Sequence, residues 1–166
     1  KASIGLPQGR TELERLVDAD GQAVVDGERV YAVAYQGKLV SLNASTGSEV
    51  WSKPVSSYNG VAVGFAQVYV ANADGEVLAF NKQNSNEVWR NEKLKYRRLS
   101  NPTVVQNMVA VSDFEGYLHF ISQVDGEIVA RKYPDSDGIM GEVLVADNMV
   151  YVYSRSGEIV AYRIFN

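Results

Sequence analysis

Short stretches of alternating apolar and polar residues, separated by glycine-containing turns, run along most of this chain. One stretch returns at intervals of 38, 41 and 41 residues, as Val30–Val33, Val68–Ala71, Val109–Ser112 and Val150–Tyr153. The glycine of the turn behind it returns at the same intervals, as Gly37, Gly75, Gly116 and Gly157. A repeat of about 40 residues that holds several short strands is typical of the blades of a β-propeller.

Each repeat is predicted to contain four antiparallel strands joined by tight turns. In the first repeat these strands are Gln22–Val25, Arg29–Tyr35, Lys38–Asn43 and Glu49–Val55. Asp26-Gly27, Gln36-Gly37 and Ser45-Thr46-Gly47 lie between them and carry the Asp and Gly residues typical of tight hairpins. The last repeat offers only Glu142–Ala146, Val150–Ser154 and Glu158–Ile164, so its outer strand is expected to be missing.

The period divides the chain into five segments of an all-β fold. Blades are predicted at residues 22–59, 60–100 and 101–140, with an incomplete three-stranded blade at residues 141–166. Residues 1–21 are predicted to form part of an outer strand, Lys1–Leu6, and a connecting loop. Thr11 and Glu14 fit a capping box, which indicates one short helical turn in that loop.

Charge and composition narrow the classes of function. A net charge of −4 and a pI near 5.0 argue against a nucleic-acid partner, which would require a basic surface. No apolar run approaches the roughly 18 residues that span a bilayer. The chain has no cysteine, which excludes disulfides and thiolate metal sites.

The stretch from Ser41 to Trp51 resembles the tryptophan-docking motif of quinoprotein-type propellers. Thr46, Gly47 and Trp51 match that motif, and weaker copies follow as Ala79, Asn81 and Trp89 and as Gly126 with Ala130. The threonine–glycine turn reverses the chain, so the tryptophan of the outer strand packs between adjacent blades. Trp51 and Trp89 are therefore predicted to be buried and to bind no cofactor.

Three further strings resemble the BamB family of outer-membrane assembly lipoproteins. They are Arg15–Asp20, Arg97–Pro102 and Asp113–Phe120, and the resemblance runs in order along nearly the whole chain. It implies four blades of an eight-bladed ring, anchored by an upstream lipid at the periplasmic face of the bacterial outer membrane. It also implies a non-enzymatic scaffold that binds the periplasmic domains of the barrel subunit BamA, and unfolded outer-membrane clients.

The resemblance assigns partner binding to Asp18 and Asp20, together with Arg15 at the start of the same string. An aspartate pair of the family's contact surface matches these two residues. Before a turn glycine, Gly21, the same aspartates also suit a structural role in which their side chains accept hydrogen bonds from their own backbone. Both roles stay open at the level of sequence.

Other polar groups give no catalytic or metal site. Asp135–Gly138 lacks the ligands of an EF-hand and is predicted to be an inter-blade loop. Lys93, Lys95, Arg97 and Arg98 form a basic cluster that is expected to be a solvated loop, with a partner or anionic surface as the alternative. His119, the only histidine, is predicted to be packed or hydrogen-bonded within a strand.

Two other functions and one assembly state remain as alternatives. A quinoprotein dehydrogenase fragment would hold pyrroloquinoline quinone and calcium, but no set of calcium ligands is recognisable. A ligand-binding surface propeller is the weaker alternative. Because the last blade lacks a strand, two copies are predicted to pair as a homodimer of half-propellers, each donating Lys1–Leu6 to the other.

Overall fold

The computed structural model describes residues 21–165, and the regular secondary structure in this part of the chain is entirely β-strand. Blade 1 contains β1 (Val24–Asp26), β2 (Arg29–Ala32), β3 (Leu39–Asn43) and β4 (Glu49–Lys53). Blade 2 contains β5 (Val61–Val63), β6 (Gln67–Ala71), β7 (Val77–Asn81) and β8 (Glu87–Asn91). Blade 3 contains β9 (Thr103–Val105), β10 (Met108–Ser112), β11 (Leu118–Ser122) and β12 (Ile128–Lys132). Blade 4 contains β13 (Ile139–Ala146), β14 (Met149–Ser154) and β15 (Ile159–Arg163).

Every sheet is an antiparallel meander in which neighbours in sequence are neighbours in space. The third and fourth strands of blades 1, 2 and 3 share a register shift, after Ser41, Ala79 and Phe120. The repeat of the sequence is therefore a repeat of structure, and the all-β propeller prediction is confirmed. That the complete ring has eight blades stays a prediction.

The hydrophobic core is divided into three clusters, each lying between two consecutive blades. Blade 2 shows how alternation along a strand achieves this. Val68 and Val70 of β6 pack toward blade 1, whereas Tyr69 and Ala71 of the same strand pack toward blade 3. Successive side chains of a strand point to opposite faces, so one strand serves two clusters. We call these three interfaces seam 1–2, seam 2–3 and seam 3–4.

The two tryptophans lie in the first two seams, as predicted. Trp51 is buried, and its Nε1 donates a hydrogen bond of 2.9 Å to the carbonyl oxygen of Lys82 in blade 2. Trp89 is also buried and donates from Nε1 to the carbonyl oxygen of Gln123 in blade 3, at 2.8 Å. Each indole thus joins its own outer strand to a turn of the next blade.

Two sets of turns define the two ends of the sheets. At one end, the turn between the second and third strands of a blade bonds to the connection from the preceding blade. These bonds run from the amides of Ala73 and Phe114 to the carbonyls of Ser56 and Arg97, and from the Arg155 amide to the Gly138 carbonyl. We call this end, formed by residues 33–38, 54–60, 72–76, 92–102, 113–117, 133–138 and 154–158, the connector face. The opposite end holds the remaining turns.

Several strand ends differ from the sequence-based expectation for identifiable reasons. β4 ends at Lys53 rather than Val55, because Pro54 has no N–H for the ladder. β2 ends at Ala32 rather than Tyr35, because Ala34 bridges instead to Ser56.

The last blade begins earlier than predicted. β13 begins at Ile139 rather than Glu142, so the boundary predicted between residues 140 and 141 falls inside this strand. The pairing of β13 with β14 is irregular between Met140 and Leu144, where Gly141 has a φ of +77°. This bulge lets the strand continue past the irregular pairing to Ala146.

Some predictions fall on residues 1–20, outside the described part of the chain. They are the strand Lys1–Leu6, the helical turn near Thr11, and the three residues assigned to partner binding. In the described part, no helix is long and apolar enough to cross a membrane.

Candidate functional site

Gly21, the first residue that the structure describes, packs against the connector face. Arg15, Asp18 and Asp20 lie outside the described residues, but Gly21, which follows Asp20 in the sequence, is described. A β-carbon on Gly21 would lie only 2.5 Å from the amide nitrogen of Gly60. Gly21 therefore packs directly against the connection between β4 and β5, which belongs to the connector face.

The predicted basic cluster lies on this face, in the connection between β8 and β9. Lys95 Nζ lies 2.9 Å from a carboxylate oxygen of Glu76 and 3.2 Å from one of Glu92. Lys93 pairs with Glu127 of blade 3. The expectation of a simply solvated loop is therefore incomplete, because these lysines tie the connection to the blades on either side.

Glu76 is a buried carboxylate that holds the outer strand of blade 2. One of its oxygens lies 2.9 Å from Arg90, and the Asn72 amide donates to the same oxygen at 2.8 Å. Burial alone would raise the pKa of Glu76, but the hydrogen bonds from Lys95 and Asn72 and the charge of Arg90 outweigh it and lower the pKa. Glu76 therefore remains ionised and anchors the connection that carries the basic cluster.

Asp113 organises the equivalent turn of blade 3. Its fully buried carboxylate accepts hydrogen bonds from Arg97 at 2.6 Å, from His119 at 2.8 Å and from the Tyr117 amide at 2.9 Å. Burial alone would raise the pKa of Asp113. The bonds from His119, Arg97 and Tyr117 outweigh burial, and the pKa lies below its usual value.

His119 is buried and hydrogen-bonded on both ring nitrogens, as the sequence predicted. Arg131 Nε, which can only donate, lies 3.2 Å from Nδ1. Nδ1 therefore accepts from Arg131, and Nε2 is hydrogen-bonded to Asp113. A histidine held on both ring nitrogens in this way fixes the positions of its neighbours.

Exposed aromatic side chains stand beside arginines on the same face. The Arg98 and Arg155 guanidinium groups lie over the Phe114 ring, with their Cζ atoms 5.4 and 5.3 Å from its centroid. Tyr35 and Tyr58 stack with their ring centroids 4.1 Å apart. Aromatic and arginine residues are the types most enriched where proteins bind one another.

No group of three or more metal-ligating side chains occurs among residues 21–165. The predicted loop of Asp135 is an inter-blade connection, between β12 and β13, as expected. Asp135 accepts from the Asp137 amide at 2.9 Å and from the Ser156 hydroxyl. These bonds lower its pKa to about 2. Asp135 thus acts as a turn-forming acceptor, and the donor set offers no calcium loop.

Sequence reasoning missed the residues that organise the connector face. Asn72, Asp113 and Ser154 occupy the same place in their repeats. The side chain of each accepts a hydrogen bond from the backbone N–H four residues later, across the following turn. The 41-residue spacing of these three residues was a usable signal for that shared role. No sequence signal distinguished Glu76 or Arg155, because their partners come from other strands and turns.

Comparison with known proteins points to one family. The family described as outer membrane protein assembly factor BamB matches residues 1–91. The protein of that name from Pseudomonas aeruginosa is 42% identical over 161 residues, which is 97% of this chain and 42% of the relative. The crystal structure of BamB from Moraxella catarrhalis superposes with a TM-score of 0.89 at 29% identity, over 97% of this chain and 48% of that one.

A quinohemoprotein alcohol dehydrogenase from Pseudomonas putida HK5 is also similar, but only in fold. It superposes with a TM-score of 0.70 at 16% identity, over 88% of this chain and 33% of that one. The chain spans less than half the length of the relatives named above. The repeat, the inter-blade tryptophans and the match over residues 1–91 together show that this chain belongs to the family of the outer membrane protein assembly factor BamB.

Proposed function

We propose that this chain is a non-enzymatic scaffold in the machinery that assembles β-barrel proteins into the bacterial outer membrane. In this proposal it docks on the periplasmic domains of BamA, assists the insertion of outer-membrane clients, and works at the periplasmic face of that membrane. The observation that carries the proposal is the family match over residues 1–91, because this range includes the residues assigned to docking.

The docking residues are proposed to be Asp18 and Asp20, supported by Arg15. Gly21, the next residue in the sequence, packs against the connector face. That face consists of turns and connections held by repeated backbone bonds, so it can present side chains from a rigid scaffold. Carboxylates suit basic or amide groups of a partner.

A binding measurement with the purified periplasmic domains of BamA tests this proposal. The variant Asp18→Asn/Asp20→Asn removes two charges but keeps an oxygen that can accept turn hydrogen bonds. We expect it to weaken binding at least about tenfold, which corresponds to about 1.4 kcal/mol. The melting temperature should stay nearly unchanged, since replacing exposed charges typically alters stability by less than about 0.5 kcal/mol.

The matched control is Glu28→Gln/Asp147→Asn, which removes two exposed charges at the opposite end of the sheets. It should bind BamA domains as tightly as the unchanged chain. Equal weakening by both double variants would show that only overall charge matters and would overturn the assignment. Dye-linked dehydrogenase turnover with added quinone and calcium would overturn the scaffold proposal itself.

A further inference from the structure

We propose that a cleft between blades 3 and 4 on the connector face binds a carboxylate side chain, Asp or Glu, of a partner protein. The cleft has a volume of about 150 Å³. It is lined by Arg98, Phe114 and Arg155, and its apolar part is formed by Leu99 and Ile139. We call it the arginine cleft. It lies far along the sequence from Asp18 and Asp20, and the proposal does not rest on the BamA docking proposed above.

The first argument is unpaired positive charge. In the part of the chain that the structure describes, no carboxylate lies within salt-bridge distance of Arg98 or Arg155, whereas Arg97 contacts two. Both unpaired guanidinium groups lie over one ring, that of Phe114. A ring face attracts a cation but leaves its N–H groups free to donate. A carboxylate placed between two such groups would receive those hydrogen bonds and relieve their mutual repulsion.

The nearby carboxylates are already engaged and cannot supply that charge. Asp113, which lines the cleft, is already hydrogen-bonded to Arg97 and His119. Glu115 reaches Arg97 at 2.9 Å, and Asp135 accepts from Ser156. Arg98 and Arg155 therefore lack a carboxylate partner within the described part of the chain, and an anion from another molecule can pair with them.

The second argument is the backbone that carries Arg98. Arg98 has a φ of +49° and Tyr96 a φ of +66°, a left-handed region that side chains with a β-carbon rarely adopt. Neither position is a glycine, so the chain bears a conformational cost to display these two side chains. Tyr96 is 87% exposed and Phe114 is 55% exposed. Residues held in this way cluster at binding sites, where strain presents a side chain to a ligand.

Room beside the arginine cleft favours a polypeptide as the source of the carboxylate. Arg98 also lines a neighbouring cleft of about 240 Å³, together with Tyr58, Asn59 and Gly75. A chain that places an acidic side chain at Arg98 can therefore continue along the connector face over exposed aromatic rings. A free inorganic anion would interact only with the two arginines, whereas an acidic peptide segment would also pack against the exposed aromatic rings.

The test is an NMR titration of the full chain with two synthetic peptides. One is N-acetylated and C-amidated Gly-Glu-Phe-Glu-Gly, and the other carries glutamine in place of both glutamates. The blocked ends ensure that only side-chain carboxylates differ. We expect the glutamate peptide to shift the Nε–H signals of Arg98 and Arg155 with a Kd of roughly 0.1–1 mM. The glutamine peptide should bind at least about tenfold more weakly.

Variants locate the site. Arg98→Gln/Arg155→Gln should abolish the response, whereas Arg163→Gln, an exposed arginine at the opposite end of the sheets, should leave it unchanged. Dispersed amide spectra of each variant show that it folds. Equal binding of both peptides, persistence of the response in the double variant, or equally tight binding of inorganic phosphate would each overturn the proposal. Because BamA docking is measured separately, either proposal can fail without the other.

Discussion

At the scale of residues, the seams depend on three positions that lie side by side across each blade. In blade 1 they are Tyr31, Ser41 and Trp51, and blade 2 has Tyr69, Ala79 and Trp89 in the same register. Blade 3 has Ala110, Phe120 and Ala130 instead. The rings on the second and fourth strands of blades 1 and 2 are replaced in blade 3 by one ring on the third strand, which keeps seam 3–4 filled without an indole.

Trp51 is expected to be the residue whose truncation most weakens seam 1–2. Its ring contacts Tyr31 at a centroid distance of 5.9 Å, and it bonds across the seam to Lys82. Trp51→Ala should lower the free energy of unfolding by about 3–5 kcal/mol. Trp51→Phe keeps much of the packing and should cost less. Urea unfolding followed by circular dichroism measures both.

Val50, which precedes Trp51 on the same strand and is exposed, provides the control. Val50→Ala should change stability by less than about 0.5 kcal/mol, because its side chain contacts solvent rather than the seam. A Trp51→Ala variant as stable as Val50→Ala would contradict the packing role.

Asp113 makes stability depend on pH in a definite direction. The pKa of Asp113 is lower in the folded chain than in the unfolded one, so folding favours the ionised carboxylate. This contribution is complete above the ordinary pKa of about 3.8 and is lost as the pH falls through the lower, folded value. Asp113→Asn should cost about 1–3 kcal/mol near neutral pH, because it removes the charge from a buried hydrogen-bonded site while Arg97 keeps Glu115 as a partner.

The difference in unfolding free energy between the unchanged chain and Asp113→Asn should shrink as the pH falls below about 3.8. Glu76 and Asp135 also have lowered pKa values, but they are present in both chains and cancel in the difference. Chemical denaturation at several pH values checks this. A difference that is constant from pH 7 to pH 2 would show that the charge of Asp113 contributes nothing.

At the scale of elements, the turn between β11 and β12 supports the seam that lies before it. Gly126 has a φ of +75°, and a β-carbon there would lie 2.5 Å from Trp89 Cε3. The Asn91 side chain donates to the Gly126 carbonyl at 2.6 Å. Blade 2 therefore uses the backbone of this turn as a flat surface for its tryptophan.

Gly126→Ala should destabilise the chain by about 1–3 kcal/mol through overpacking, in addition to the cost of a left-handed alanine. Gly141→Ala isolates the second contribution, since Gly141 has a φ of +77° and a β-carbon there would meet no atom within 4 Å. Thermal unfolding of the two variants gives the comparison. Equal losses would mean that the contact with Trp89 contributes nothing.

The sequence predicted the strands well where turn chemistry marked their ends, and less well elsewhere. The observed strands Leu39–Asn43 and Met149–Ser154 differ by only one residue from the predicted Lys38–Asn43 and Val150–Ser154, because polar or glycine-containing turns flank them. The start of β13 was missed, because the bulge between Met140 and Leu144 interrupts the alternation of buried and exposed residues that marks a strand. The role of Phe120 could not be predicted, because it depends on the register between strands.

At the scale of the whole molecule, each blade packs only against its neighbours. Stability should therefore be close to a sum over blades and seams, as in other repeat proteins. Blade 4 differs from the other blades because, in the described part of the chain, its outer edge strand is the third strand instead of a fourth. β15 pairs with β14 on one side, and no strand of the described part pairs with its other side.

The open edge of β15 is expected to drive self-association, as predicted for paired half-propellers. Ile159 on this strand is 73% exposed, and an unpaired apolar edge is a template for another strand. The chain should therefore show a mass of about twice 18.3 kDa in light scattering at micromolar concentration. Ile159→Lys should shift the mass toward the monomer, whereas Phe65→Lys, at a residue 98% exposed elsewhere, should not. A monomeric unchanged chain would refute the expectation.

The candidate site was less predictable than the fold, for a physical reason. Local strings identified Asp18, Asp20 and the basic cluster as polar loops, because turn composition is a local property. The arginine cleft joins Arg98, Phe114 and Arg155 from a connection and two turns of different blades. Only the stacking of blades brings them together, and the sequence alone does not give the distances across that stack.

The positions of the two tryptophans also mean that indole fluorescence reports on only some of the inter-blade seams. Trp51 reports on seam 1–2 and Trp89 on seam 2–3, while seam 3–4 contains no tryptophan. Intrinsic indole fluorescence will therefore register the opening of the first two seams and remain silent when blade 4 alone detaches. If blade 4 unfolds first, circular dichroism will begin to change at a lower denaturant concentration than the emission spectrum, and the gap between the two curves will measure the independence of that blade.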